Sequence, residues 1–396
     1  MVVRTESPIT NRWGEVPLIP VASEHFPVFW GVEGSAYNHH PQLTSLDGRL
    51  YATWSNGFRD EDTPGQRMML ATSDDRGETW SSPRPLVDRQ PGRHGYGVVT
   101  SEGIHVHEGT MVAYYGYYDY KQTTLDIYED FGPPTDWRGP VLDRPVQRKQ
   151  YRRNHYTGIM VSQDGGETWR GPVARIPHFV PNLAPHRLAG GRLILPANMC
   201  FSYTDDPLGI EGWTVRCIPG LPDDYIDAPQ EFSRGRHFRG DPYHTCEGSC
   251  YQTGDGVVHM MLRTNKHRLA VVESWDQGET WSEPRLTGYT DGECRFHFGR
   301  LPDDDAAVGR YFGLTCPDPE GVRTPMVLAT SEDGVVFDRH HLLGGEPWTP
   351  ARIPGYWKYG QYSYPSYHVV DGTFYAIYAP NKEDVALCRL PLDALM

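Results

Sequence analysis

Long apolar runs are missing from this 396-residue chain. Its longest apolar stretches span a few residues, against the ~20 that a helix needs to cross a bilayer, so no membrane helix is expected. The opening residues, MVVRTESPIT, lack the apolar core of a signal peptide. Cysteine is sparse: seven residues, an odd number, without the dense spacing of a disulfide framework. The closest pair, Cys246 and Cys250, has no companion ligands at zinc-site spacing. A dense Asp/Asn/Gly loop of EF-hand type is also absent. Neither a metal nor another cofactor is therefore expected, and a cytoplasmic location fits, or a secreted one if a leader has been removed. Basic charge falls short too, with 37 Lys plus Arg against 51 Asp plus Glu and a net charge of −14. Nucleic acids and anionic membranes select a basic face, so neither is an expected partner. A local arginine cluster can still hold a small anion. Helical periodicity over ten or more positions is hard to find, and no Ser/Gly linker marks a domain boundary.

What the chain has is aromatics, glycine, proline and repetition. It carries 13 Phe, 11 Trp and 24 Tyr, with 42 Gly and 34 Pro. Three segments read S-x-D-x-G-E-T-W: residues 73–80, 162–169 and 274–281. A fourth, 331–338, keeps Ser331 and Asp333 but loses the later Gly and Trp. Each follows a short β-like run such as MMLAT or PMVLAT. The motif has a local physical logic. Ser and Asp side chains bond backbone N–H groups inside a tight turn, Gly supplies positive φ, and Trp packs the turn onto the hairpin beneath it. These turns are expected to be scaffold and to carry no chemistry.

A looser repeat counts the units. A small polar turn followed by an aromatic or aliphatic strand occurs at 46–57, 107–118, 189–198, 254–265, 304–316 and 370–381. Short strands at regular spacing predict an all-β chain, and six units of roughly 60 residues suit six four-stranded propeller blades. Residues 1–396 then form one six-bladed β-propeller domain. The polar segment at about 119–156 reads as a long insertion over one face, where functional loops are often found.

The three complete turns are Asp boxes, and with six units the chain resembles the sialidase superfamily of Asp-box (BNR-repeat) propellers from about residue 35 to the end. The order of a strand Glu, a D-G turn, an Arg and an Asp box is matched by Glu247, Asp255-Gly256, Arg263 and the box at 274–281. The resemblance implies that Glu247 activates a tyrosine nucleophile and that Arg263 holds a substrate carboxylate. Arg323, eight residues before Ser331, matches a second carboxylate-binding arginine. Tyr364, ahead of the Asp371-Gly372 hairpin, matches the nucleophile, with Tyr362 and Tyr367 as close competitors; Tyr362 is otherwise a substrate-binding candidate. The general acid falls in the loop Arg59-Asp60-Glu61-Asp62, with Asp62 preferred and Asp60 the alternative. One departure matters. Where the family has its first-blade arginine, this chain has Asn38-His39-His40-Pro41, with His39 at the arginine's place. Histidine cannot grip a carboxylate as an arginine fork does, which weakens the case for sialic acid itself.

Asn38, His39 and His40 are accordingly read as site-lining, within an unusual excess of 17 histidines that includes His94, His105, His155, His244 and His297. Three functions remain open. The first is an exo-acting hydrolase of an acidic or modified sugar, with a Tyr364–Glu247 pair doing what two carboxylates do in most glycosidases. The second is a lyase that cleaves a uronate linkage, for instance rhamnose–glucuronate, with His or Tyr removing the C5 proton. The third is a glycan-binding propeller without catalysis. In each the expected partner is a carbohydrate with an acidic group.

Overall fold

The computed structural model of the protein describes residues 6–92, 95–120, 152–219, 243, 245–302, 311–355 and 357–395. Six sheets, antiparallel but for one added strand, make up nearly all of it, most of them meanders of consecutive strands. Blade I runs through Tyr37–Leu46, Arg49–Gly57, Arg67–Ser73 and Arg84–Val87. Blade II follows with Val98–His107, Thr110–Tyr120, Arg152–Ser162 and Arg170–Pro177. Blade III is the shortest, with His186–Arg187, Leu193–Pro196, Cys200–Thr204 and Thr214–Cys217. Blade IV contains Gly248–Gln252, Val258–Leu262, Arg268–Ser274 and Arg285–Thr290. Blade V contains His297–Arg300, Tyr311–Thr315, Met326–Ser331 and Arg339–Gly344. This is the six-bladed β-propeller expected from the repeats. Helical turns among the described residues are short, as at Pro380–Lys382 and Leu392–Leu395. No helix there is long and apolar enough to cross a membrane.

The ring closes by mixing its two ends. Blade VI takes Ser363–Val370, Thr373–Ala379 and Val385–Pro391 from the C-terminal end and its outer strand, Glu24–Phe29, from the N-terminal end. The outer strand pairs antiparallel with Val385–Pro391, Glu24 opposite Arg389 and Phe29 opposite Val385. Just before it, Leu18–Pro20 adds a parallel fifth strand to blade V. Both faces of a blade meet a neighbour, so the middle strands are buried throughout rather than alternately. Thr373–Ala379 (TFYAIYA) is an example. Leu314 and Leu328 of blade V pack with Phe374 and Leu390 of blade VI in one such inter-blade core.

The Asp boxes sit at the turns between third and fourth strands and do what their residues suggest. In the first, Ser73 Oγ donates to Asp75 Oδ1 at 2.8 Å and accepts from the Gly77 N–H at 2.9 Å. The Thr79 N–H reaches Asp75 at 2.9 Å, and Trp80 Nε1 donates to the Gly77 carbonyl at 3.1 Å. The turns at Ser162 and Ser274 repeat these bonds within about 0.1 Å. These bonds hold the Asp75 and Asp164 carboxyls down at about 2, the Thr79 and Thr168 side-chain bonds contributing most. Blade III has a divergent fifth member that the S-x-D-x-G pattern missed. There Thr204 replaces Ser, Asp206 caps Ile210 N–H at 2.8 Å, and Trp213 Nε1 donates to the Gly209 carbonyl at 3.0 Å.

Of the insertion expected at about 119–156, residues 119–120 and 152–156 are strand residues of blade II. Tyr120 pairs with Arg152, and residues 121–151 lie outside the described residues. His94 and His244 also lie outside them.

Candidate active site

Blade geometry explains why distant residues meet. In an antiparallel meander the start of the first strand, the end of the second and the start of the third share one end of the sheet. Asp boxes and first hairpins occupy the other end. His39 and His40 open the first strand of blade I, and residues 58–66 join its second and third strands. Glu247 immediately precedes the first strand of blade IV, and Arg263 immediately follows its second. Arg295 precedes the first strand of blade V, with Arg323 in the loop before its third. Tyr364 opens blade VI, with Lys382 just past its second strand. The scaffold turns and this cluster are thus at opposite ends.

Tyr364 is the hub. Its hydroxyl donates to Glu247 Oε1. Arg263 Nη1 donates to Glu247 Oε2 at 2.7 Å and to the Tyr364 hydroxyl at 3.2 Å, closing a three-membered network. Burial, followed by the negative charge of Glu247, pushes the Tyr364 phenol well above its usual range, so the resting hydroxyl is neutral. Arg295 and Arg323 lie over its ring, their guanidinium carbons 4.9 and 5.2 Å from the centroid. The His39 ring is 4.0 Å from that of Tyr364 and the His40 ring 5.3 Å.

Two β-bulges produce this crowding. A register shift between His39 and Gln42, with His40 at φ 53°, brings two consecutive histidines together, ring centroids 4.4 Å apart, where a regular strand would point them apart. A second shift, between Ser363 and Ser366, accompanies Tyr364 at φ 56°. Asp62, Arg323 and Lys382 also have positive φ, at 58°, 53° and 53°. Each such residue costs on the order of 1–3 kcal/mol, and strain of this kind collects at functional sites.

Electrostatics keep the histidines neutral. Burial is the largest cause for both; for His39, repulsion from Lys382, Arg323, Arg295 and Arg263 adds to it, so both fall well below the usual imidazole range. His39 Nδ1 lies 3.1 Å from Glu61 Oε1 and 3.2 Å from the Tyr37 hydroxyl. Burial alone would raise the Glu61 carboxyl, but Lys382, 2.7 Å away, together with His40 and Arg323, brings it below its usual value. Beneath Tyr364, Cys294 Sγ accepts the Tyr364 N–H at 3.2 Å. Burial raises that thiol, yet Cys316, Arg323 and the Tyr364 amide outweigh it and bring it down to about 6.

The expected site residues do not all face this cluster. Glu247, Arg263, Arg323, Tyr364, His39 and His40 come together. Asn38 is fully buried and used within the fold. Its Nδ2 donates to the carbonyls of Ser35 and Glu383 at 3.0 and 2.6 Å, and its Oδ1 accepts from Trp54 and Asn56 at 2.9 and 2.8 Å. Tyr362 belongs to the core between blades V and VI, its ring against Tyr378 and over Gly344, where a Cβ would fall 2.5 Å from it. Tyr367 packs edge-on against Phe312 and His297. In the acidic loop, Asp60 accepts the N–H groups of Glu61 and Trp357, and Asp62 accepts from the Tyr118 hydroxyl. Glu61 is the member that contacts His39 and Lys382.

Arg295, Lys382 and Tyr359, whose hydroxyl accepts from Arg323 at 3.2 Å, escaped the sequence reading. Arg295 had a usable signal, since it precedes its inner strand much as Glu247 precedes its own in the blade before. Lys382 had none, because its position depends on an irregular turn.

The ligand atoms of His39, His40 and Glu61 lie within 4.8 Å of one another, a spacing open to a metal ion. The setting opposes one: Lys382 occupies Glu61, and the four cations that repel a proton from His39 would repel a dication more strongly.

Comparison with known proteins agrees with the architecture. The chain belongs to the BNR repeat-like domain family, whose profile matches residues 48–377. No curated protein matches it by sequence. Among solved structures it is similar to the Hadza microbial sialidase Hz136, at 16% identity and a TM-score of 0.63 over 93% of this chain and 69% of that one. It is also similar to the intramolecular trans-sialidase from Ruminococcus gnavus, at 15% identity, TM-score 0.58, over 93% and 97% of the two chains. The NanB sialidase K499G mutant from Streptococcus pneumoniae is 14% identical, TM-score 0.59, over 94% and 71%. A protein of unknown function from Dyadobacter fermentans DSM 18053 is 17% identical, TM-score 0.61, over 93% and 98%. At these identities the shared property is the sialidase-like propeller fold.

Proposed function

We propose that the protein is an exo-acting glycoside hydrolase of sialidase-like type, acting on an acidic or modified sugar. One observation carries this reading: the Tyr364 hydroxyl, Glu247 and Arg263 form a closed hydrogen-bonded network beneath two further arginines. Glu247 takes the phenolic proton as Tyr364 oxygen attacks the anomeric carbon, and the leaving oxygen takes a proton from an acid in the 60–62 loop. The glycosyl–tyrosine bond, an aryl glycoside, is then broken by water: Glu247 returns its proton to the departing Tyr364 oxygen, and the loop carboxylate takes one from the attacking water. A phenol suits an anionic sugar because a carboxylate nucleophile would be repelled by it. Arg263 and Arg323 hold the sugar's acidic group.

A second reading, a uronate lyase, draws on the two neutral imidazoles packed on Tyr364. A neutral histidine is ready to take a C5 proton while arginines neutralise the carboxylate. Product analysis separates the two. With sialosides and uronate oligosaccharides as substrates, hydrolysis yields a saturated sugar with one added water. An unsaturated, UV-absorbing uronate would refute the hydrolase, and ligand binding without turnover of any acidic glycan would favour a binding propeller.

A further inference from the structure

Where the first blade lacks an arginine, a lysine from the sixth blade stands close by. Lys382 Nζ is 5.3 Å from the Tyr359 ring centroid and 5.9 Å from that of Tyr364. Arg323 lies over the same two rings, at 4.6 and 5.2 Å. The two cations therefore flank one patch of the site. Lys382 is buried, 2% exposed, and its backbone is held at positive φ, as is that of Asn381 before it. A solvated surface lysine needs neither burial nor strain. Its partner is Glu61 at 2.7 Å, whose other oxygen engages His39, the residue at the expected arginine's position. Arg295 and Arg323 have only neutral hydrogen-bond acceptors: the carbonyls of Asn182, Pro41, Tyr364 and Glu293, and the hydroxyls of Ser363 and Tyr359. The Nε of each is buried without a partner. The two guanidinium groups thus have no carboxylate bonded to them where a carboxylated sugar would sit.

We propose that Lys382 is a specificity-determining residue, the cation that replaces the first-blade arginine in gripping the substrate's carboxylate, with Glu61 as the partner it leaves on binding. This rests on the acidic-sugar reading above. The exchange suits an ammonium group, a compact charge on a flexible stem that can swing between two oxyanions, better than a planar fork. Glu61 keeps His39 as a contact after Lys382 moves.

The test is binding of N-acetylneuraminic acid and glucuronic acid, each beside its methyl ester, measured by titration calorimetry. The wild-type protein is expected to bind at least one acid about tenfold or more tightly than its ester, the scale of one charge-assisted contact. Lys382→Met should lower that ratio severalfold without weakening the ester, Arg263 and Arg323 keeping the remainder, and Lys382→Arg should retain most of it. Glu61→Gln should tighten acid binding by freeing Lys382. If Lys382→Met fails to fold because Glu61 is left unpaired, the Lys382→Met/Glu61→Gln double variant removes both charges and carries the same expectation. An undiminished acid preference in Lys382→Met, or weaker acid binding in Glu61→Gln, overturns the role of Lys382 alone. No preference for either acid in the wild type overturns the acidic-sugar reading, and the inference with it.

Discussion

Replacing Glu247 by Gln tests the nucleophile most directly. The carboxylate has two duties, accepting from Tyr364 through Oε1 and from Arg263 through Oε2. Glutamine has the same shape but one acceptor. Arg263 only donates, so the amide oxygen must turn to it and the NH2 group must face the Tyr364 hydroxyl. The phenol, whose proton is held well above its usual range by burial and by Glu247, then has no base. Positioned general bases contribute roughly 10²–10⁴ in rate, and at 1.36 kcal/mol per decade the barrier rises by about 3–5 kcal/mol. The fall should appear in kcat more than in KM, because the lost interaction develops during attack. Folding should survive, since Gln still accepts from Arg263. Glu247→Ala, by contrast, leaves that guanidinium buried and unpaired, a change that costs about 3–5 kcal/mol of stability. The assay is kcat on the active substrate beside a thermal melt for each variant. A Gln variant within tenfold of wild-type kcat, with an unchanged melt, would refute Glu247 as the base.

Other outcomes are expected on the same reasoning. Arg263→Lys keeps the charge but its shorter stem loses the reach of Nη1, which serves Glu247 and Tyr364 together, and kcat/KM should fall roughly a hundredfold, the scale of one lost transition-state donor; near-normal turnover would remove that role. Burial holds His186, His341 and His368 down at about 4, below the unfolded value of about 6.5. In that window the unfolded chain binds more protons, so stability is full above pH 6.5 and falls as pH drops toward 4; calorimetric melts between pH 7.5 and 4.5 should show the decline, and a Tm that stays flat to pH 5 would contradict it. Deleting residues 1–29 removes the outer strand of blade VI and leaves Val385–Pro391 as an open edge; a lower Tm and concentration-dependent aggregation should follow. Leu314→Ala, fully buried between blades V and VI, should cost about 2–5 kcal/mol in denaturant unfolding.

What could be read from sequence divides along physical lines. The Asp boxes are contiguous and held by side chains two to four residues apart, so three were plain. The blade III turn, with Thr204, Asp206, Gly209 and Trp213 spread over a longer loop, was not. Glu247 and Arg263 flank one hairpin, where the Arg263 N–H bonds the Glu247 carbonyl at 2.9 Å, and short-range order along the chain indicated the pair. Choosing among Tyr362, Tyr364 and Tyr367 required the bulge between Ser363 and Ser366, a departure from alternation that composition does not encode. Asn38 shows the opposite error: it stands beside the site histidines in sequence, but alternation turns it into the blade, against Trp54 and Asn56. Arg295 and Lys382 come from loops whose course depends on the assembled ring.

The shared construction of blade VI also sets an order of events. Glu24 finds Arg389, and Leu18 finds His340, only after more than three hundred intervening residues have been made. The N-terminal strands leave the ribosome early and dock late, waiting for the last blades, and contacts of such long sequence separation are slow to form. Tyr364 and Lys382 belong to that final blade, while their partners Glu247, Arg263 and Glu61 are fixed in earlier ones. Completing the ring and assembling the Tyr364 cluster are therefore a single event in folding, and a half-built chain lacks the Tyr364–Glu247–Arg263 network.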